Sequence, residues 1–198
     1  MDKDWTGNSR STHATLGARN YAQHDREEND FYATDPKALE MLLDLEKFSP
    51  TIWECACGEG HLSKVLIDRG YKVISSDLID RGYGKGGVDF LKSTKTFEGD
   101  IVTNPPYKYA QEFIEHALDI VTEGHKVVMF LKVQFLEGKA RRKMFDKHPP
   151  KKIYVSSSRL RCAMNGDFER YAKSNAVAYA WFIWEKGFKG DTVVRWFN

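Results

Sequence analysis

Thr103-Asn104-Pro105-Pro106-Tyr107 is where this sequence gathers the most chemistry in the fewest residues. It follows Asp100-Ile101-Val102, a short apolar run that reads as a strand. Two consecutive prolines cannot extend a sheet or open an ordinary helix, so they fix a stiff backbone corner. Asn104 sets an amide before that corner and Tyr107 an aromatic ring after it. In a parallel α/β sheet the carboxyl ends of the strands are where ligands bind. Pro-Pro alone would be a turn between a strand and a helix. With Asn before it, Tyr after it and a glycine-rich turn upstream, it is a candidate site.

The upstream turn is a second constellation. Thr51 to Cys57 reads as a strand, Gly58-Glu59-Gly60 as a turn, and His61 to Arg69 as a helix closed by Gly70. Tyr71 to Asp77 is a second strand, ending in a carboxylate. This strand, glycine turn, helix and strand-acid unit suits a nucleoside. Glycines let the backbone approach the ligand, and the helix N-terminus attracts a carboxylate or phosphate. The acid, roughly twenty residues past the turn, bonds ribose hydroxyls. Other chemistries find no pattern. His13, His24, His61, His116, His125 and His148 are scattered, and no Cys/His spacing suits zinc. A Gly-x-Ser-x-Gly elbow is absent.

The elements that position these residues read as one α/β domain over 31–198, preceded by a polar arm over 1–30. The length of 198 residues fits a single core. Hydrophobic residues make up 41% and charged residues 29%, an ordinary globular composition. No apolar run reaches the ~20 residues of a membrane span. Met1 to Trp5 has no apolar signal core. Three cysteines, with Cys55 and Cys57 alternating along a strand, suit a reducing cytoplasm.

Asp35 and Pro36 fit the N-cap and first position of a helix running to about Phe48. Residues 78–100 are glycine-rich and short, with Val88 to Leu91 as a strand candidate and little room for crossover helices. Tyr109 to Val121 has a helical apolar face, and Lys126 to Val133 reads as a strand buried on both sides. Gly138 to Lys152 carries seven Lys or Arg against one Asp. It is either a solvated helix face or a border of the site's mouth. Ile153 to Val155 is a strand, and 156–173 is a long loop with Arg159 and Arg161. Asn175 to Trp184 is a strong strand, and Thr192 to Phe197 pairs as a final hairpin strand.

In this order the motifs resemble class I S-adenosylmethionine-dependent methyltransferases that modify amino groups, small phage or prophage DNA N6-adenine methyltransferases in particular. Asn104 to Tyr107 is similar to their Asp/Asn/Ser-Pro-Pro-Tyr/Phe signature. Phe31-Tyr32-Ala33-Thr34-Asp35-Pro36 resembles their methionine-side motif. Glu54 to Gly60 fits their acid, three residues, Gly-x-Gly pattern. Asp77 resembles their ribose acid and Asp89-Phe90 their adenine-binding pair. The resemblance covers about residues 31–187 and implies a Rossmann-like, seven-stranded, mostly parallel sheet. Its last strand would be antiparallel, over about Ala176 to Trp184.

The resemblance implies S-adenosylmethionine as cofactor, held by Phe31, Tyr32, Asp35, Glu54, Ala56, Cys57, Gly58, Glu59, Gly60, Asp77, Leu78, Asp89, Phe90 and Asn104. It implies catalysis by Asn104, Pro105, Pro106 and Tyr107, without a metal. The acceptor is DNA, with RNA or a protein glutamine amide as alternatives. A cofactor-binding module without catalysis is a further alternative. Little chain follows the final strand, so target recognition falls to 138–173 or the N-terminal arm, with Lys108, Lys139, Arg141, Arg142, Arg159 and Arg161 as nucleic-acid contacts.

The reaction so implied is methyl transfer from a sulfonium to an exocyclic amine whose lone pair is delocalised into the ring. Two acceptors, the Asn104 side-chain oxygen and the Pro105 carbonyl, can hold both N–H groups and localise that lone pair. The proline corner preorganises them where positive charge develops. Tyr107 can stack on the base, and a duplex substrate would need base flipping.

Overall fold

The computed structural model describes residues 32–158, 162–164 and 177–198. The arm over 1–30, Phe31, Arg159 and Arg161 lie outside the described residues.

Alternation in the two most apolar strands sets the layers. In β5 (Lys126–Lys132), Val128 and Phe130 face one side while Val127, Met129 and Leu131 face the other. In β8 (Tyr179–Glu185), Trp181 and Ile183 face the first side, Phe182 and Trp184 the second. Helices cover both faces, which is why these strands carry no polar alternation. Leu39, Leu42 and Leu43 of α1 (Pro36–Leu45) and Leu62, Val65 and Leu66 of α2 (His61–Asp68) close the first face. Phe113, Ile114, Ala117 and Leu118 of α3 (Ala110–Ile120) and Met144 of α4 (Lys139–Lys147) close the second. Each buried indole also ties layers together through its N–H. Trp181 Nε1 donates to the Ala38 carbonyl at 2.9 Å, and Trp184 Nε1 to the His148 carbonyl at 3.0 Å.

The remaining strands are β2 (Thr51–Glu54), β3 (Lys72–Ser75), β4 (Asp100–Thr103), β6 (Lys152–Ser156) and β9 (Val193–Phe197). With β5 and β8 they form one seven-stranded sheet in the order β3-β2-β4-β5-β8-β6-β9. All neighbours run parallel except at β8, which is antiparallel to both β5 and β6. This is the expected mostly parallel α/β sheet with one reversed strand. Two details differ. The reversed strand is not the last, and β9 does not form a hairpin with it. Both edges of β8 are already filled by β5 and β6, so β9 pairs with the outer edge of β6, in parallel.

Residues 88–91 are not a strand either. The Asp89 carboxylate accepts from Leu91 N at 3.1 Å and caps a single 3-10 turn, Phe90–Lys92. A short polar side chain that satisfies a local N–H diverts the backbone from a ladder. The strand expected over 51–57 stops at Glu54, where Cys55 and Ala56 already turn.

Glu46, just past α1, holds the first face to the sheet. It is buried, and Lys126, Lys152 and the Tyr154 hydroxyl all donate to its carboxylate. Burial works to raise its pKa, but the hydrogen bonds from Lys152, Tyr154 and Lys126 outweigh it and hold the group below its ordinary value. A lowered folded value means that the stabilisation is present above the ordinary carboxylate range and is lost as pH falls through the folded value. Glu46→Gln is expected to cost about 2 kcal/mol near neutral pH, since both ammonium heads are partly solvated. Denaturant unfolding should show that deficit closing as pH drops below about 4. A deficit constant with pH would refute the role.

Candidate active site

The turn after β2 is built by backbone, not by bulk. Gly58 and Gly60 have φ of 54° and 80°, a region disfavoured for side chains. A Cβ on Gly60 would also lie 2.4 Å from the Tyr83 ring. The space at Gly60 is therefore taken by the protein's own aromatic ring. Tyr83 belongs to the glycine-rich stretch that replaces a crossover helix. That stretch folds back on β3 through Asp77 N to Lys85 O (3.0 Å) and Lys85 N to Ser75 O (2.9 Å). Gly84 packs on Ser75, where a Cβ would stand 2.7 Å from the carbonyl oxygen.

Asp77 locks this turn to the next. Its Oδ2 accepts from Gly58 N at 2.8 Å and its Oδ1 from Ile79 N at 2.9 Å. The expected ribose acid is thus also the clamp that shapes the loop meant to hold the ligand. Glu54 lies beneath the turn, 2% exposed, and accepts from Ser63 Oγ. Burial raises its carboxyl to about 8, and the charge of Asp77 adds to that. Burial likewise pushes the Cys55 thiol well up and that of Cys57 up to about 12. Both thiols are neutral, and neither is a nucleophile at ordinary pH.

At the carboxyl end of β4, Asn104 Nδ2 donates to Thr34 Oγ1 at 2.9 Å, which orients the amide. Thr34 is in β1 (Tyr32–Thr34), and β1 pairs antiparallel with β7 (Cys162–Met164), Thr34 opposite Cys162. Residues 32–34, from the segment resembling the methionine-side motif, and residues 162–164, from the stretch expected to read the target, thus pair as one two-stranded ribbon beside the corner. Tyr107 opens a 3-10 turn ahead of α3. Its ring lies 6.3 Å from that of Tyr179, and Lys132 Nζ sits 4.9 Å from its centroid. Phe90 packs edge-on to Trp53 at 5.2 Å and beside Phe113 at 5.0 Å.

One cavity of about 410 Å³ joins these parts. Its wall includes Glu54, Ala56, Cys57, Asp77, Leu78, Asp89 and Phe90 from the expected cofactor set. Asn104, Pro105, Pro106, Tyr107 and Lys108 line the same space. Asp35, Gly58, Glu59 and Gly60 are not on it: Asp35 caps α1 by accepting from Lys37 N at 3.1 Å, the Gly58 N–H is taken by Asp77, Glu59 is exposed and Gly60 packs against the Tyr83 ring. The wall also carries Thr34 and Cys55, which lie within the motifs but had no expected contact, and His61 and Arg81, which lie outside them. Lys132, which is not on the wall but sits over the Tyr107 ring, was not singled out either. Its signal is a charge closing an apolar strand at the sheet's ligand end.

The basic stretch splits in character. Only Met144 of α4 is buried, and Lys139, Arg142, Lys143 and Lys147 are exposed. Arg142 pairs with Asp146 at 2.7 Å. Arg141 donates to the carbonyls of Phe135, Gln134 and Glu137, closing the turn before α4. Among the described residues no group of three or more His, Cys, Asp or Glu is placed to hold a metal ion. No helix of the described residues is long and apolar enough to cross a membrane.

No protein-family model and no curated protein sequence matches the chain. Solved structures share its fold. A Listeria monocytogenes protein assigned as a class I S-adenosylmethionine-dependent methyltransferase is similar with a TM-score of 0.61 and 13% identity, over 87% of this chain and 68% of that one. A Lactococcus lactis protein assigned as a hemolysin has a TM-score of 0.58 and 13% identity, over 80% and 91%. A modification subunit assigned to a type I restriction enzyme of Vibrio vulnificus YJ016 has 0.55 and 13%, over 92% of this chain but 49% of the subunit. At these identities the likeness shows the fold alone, a Rossmann-like, mostly parallel α/β sheet.

Proposed function

We propose that this protein transfers a methyl group from S-adenosylmethionine to the exocyclic N6 amine of adenine in DNA. The observation that carries the reading is the shared cavity: the acid-lined nucleoside cleft and the Asn104-Pro105-Pro106-Tyr107 corner face one space. Its volume falls in the range of small-molecule sites. Three carboxylates on the wall, Glu54, Asp77 and Asp89, suit a nucleoside with hydroxyls and positive charge. A modification subunit assigned to a type I restriction enzyme is among the structures of the same fold, which supports a DNA acceptor in this reading.

When bound, the cofactor supplies an electrophilic methyl on sulfur. The chain's own residues do the rest. Asn104, oriented by Thr34, and the Pro105 carbonyl accept the two N–H groups of the amine. Tyr107 stacks on the base, with Lys132 behind its ring as a cation–π partner. The corner is set before the substrate arrives, so orientation costs little at the moment of reaction. A paired adenine must flip out to reach it.

Residues 138–173 serve target recognition in this reading, over a domain spanning 31–198. Lys108 and Lys139 hold phosphates, and Arg142 joins them by leaving Asp146. Arg159 and Arg161 belong to the same recognition segment. Arg141 supports the turn instead. A labelled-methyl assay with DNA, RNA and protein tests the reading, followed by methylation-sensitive sequencing of DNA from expressing cells. Label in DNA adenine is the expected result. Label in RNA alone, or in protein glutamine alone, would replace DNA as the substrate.

A further inference from the structure

Glu54 ends β2 with its side chain sealed from bulk water and yet on the cavity wall. The hydroxyl and backbone N–H of Ser63, not a cation, meet its carboxylate. Ser63 Oγ of α2 bonds Oε2, and Ser75 Oγ of β3 lies 2.6 Å from Ser63 Oγ. Each hydroxyl has one proton to give, so this chain can run in two directions. Ser75 donates to Ser63 and Ser63 to an ionised Glu54, or a protonated Glu54 donates to Ser63 and Ser63 to Ser75. No heavy atom moves between the two arrangements, so the site accommodates either protonation state.

Burial, with the charge of Asp77, favours the neutral form, against the hydrogen bonds from Ser63 that favour the ionised one. Asp77 stands across the Gly58 turn, and Cys55 and Cys57 flank the strand end as neutral thiols. Asp89, His61, Arg81 and Lys108 lie elsewhere on the same wall, and no ion pair links Glu54 to a cation of the described residues. Its carboxyl, raised to about 8 chiefly by burial, is mostly protonated near neutral pH.

We infer that Glu54 distinguishes the cationic cofactor from its uncharged product, giving up its proton when the cation enters and regaining one when only the product remains. The inference rests on S-adenosylmethionine being the ligand. At neutral pH that molecule has a net positive charge: a sulfonium and an ammonium against one carboxylate. S-adenosylhomocysteine lacks the sulfonium charge and is neutral overall. A cation in a buried cleft stabilises the ionised carboxylate, and by linkage the ionised carboxylate strengthens cation binding. The proton leaves to the buffer. Lowering the pH therefore weakens cofactor binding and leaves product binding nearly unchanged, so an ionisable Glu54 favours exchange of product for cofactor.

Calorimetry in buffers of different ionisation heat counts the protons. Wild-type protein should release close to one proton per S-adenosylmethionine bound at pH 7 and close to none per S-adenosylhomocysteine. From pH 6.5 to 7.5 its affinity for the cofactor should rise about eightfold. Glu54→Gln, a neutral side chain that still accepts from Ser63, should remove that rise. His61 and the ligand's own amine titrate in both proteins, so the difference between them isolates Glu54. The proton count on wild-type protein stands even if the variant folds poorly. Cofactor binding without proton release, or the same pH dependence in both proteins, overturns the inference alone. Failure of S-adenosylmethionine to bind at any pH overturns the cofactor reading and this inference with it.

Discussion

Asn104→Ala is expected to lower the methyl-transfer rate about a thousandfold while cofactor affinity stays within a few-fold of wild type. The size of the loss comes from what the side chain does in the transition state. The amine gains positive charge as the methyl arrives, and a preorganised acceptor at its N–H is worth most then. Alanine removes the acceptor and also the anchor to Thr34. Asn104→Asp separates these effects. It keeps an acceptor toward the substrate and can still accept from the Thr34 hydroxyl, so its loss should be smaller. Thr34→Val tests the anchor alone; it removes the 2.9 Å hydrogen bond that orients the amide, and a loss near tenfold is expected for misorientation. Single-turnover rates measure the chemistry, and calorimetry measures the cofactor. Unchanged turnover in Asn104→Ala would remove the corner from the mechanism, whatever the chain then binds.

The corner was legible in the sequence because its cause is local. Two prolines restrict the backbone wherever they stand, and an apolar run before them places them at a strand end. Gly58 to Gly60 and Asp77 were legible for the same reason, since a strand, a tight turn and a helix leave little freedom in how they meet. The unbroken apolar run from Val127 to Leu131 marked a strand buried on both faces. What escaped reading depends on contacts far along the chain. Residues 32–34 and 162–164 are too short to show a strand period, and their pairing is decided by where the sheet brings them. The Glu46 cluster joins residues 80 to 108 positions apart, and each of them alone looks like an ordinary surface charge or tyrosine. The placement of β9 follows from β8 being already paired on both edges, which no local pattern in Val193 to Phe197 announces. The basic stretch was legible as a helix with charge but not as a division of labour. Arg141 serves its own turn while Lys139 faces solvent, because the preceding carbonyls of Gln134, Phe135 and Glu137 come within its reach.

Asp77→Ala is expected to weaken S-adenosylmethionine binding about a hundredfold or more, because two charge-assisted hydrogen bonds that set the site are lost along with the ribose contact. The more telling substitution is Asp77→Asn. If the side chain met only ribose hydroxyls, an amide would serve tolerably, since hydroxyls both donate and accept. Here both carboxylate oxygens accept from backbone N–H groups, Gly58 on one side and Ile79 on the other. An asparagine has one acceptor oxygen, so its NH₂ must point at one of these donors. One turn then loses its anchor, and an N–H meets an N–H. Asp77→Asn should therefore bind cofactor nearly as poorly as Asp77→Ala. Thermal unfolding should show a lowered midpoint for both variants, because the clamp joins β2's turn to the end of β3 even before any ligand arrives. Calorimetry and unfolding together decide the matter. Wild-type affinity in Asp77→Asn would show that the clamp does not shape the cofactor site. A loss of affinity confined to Asp77→Ala would leave the acid with the ribose role alone.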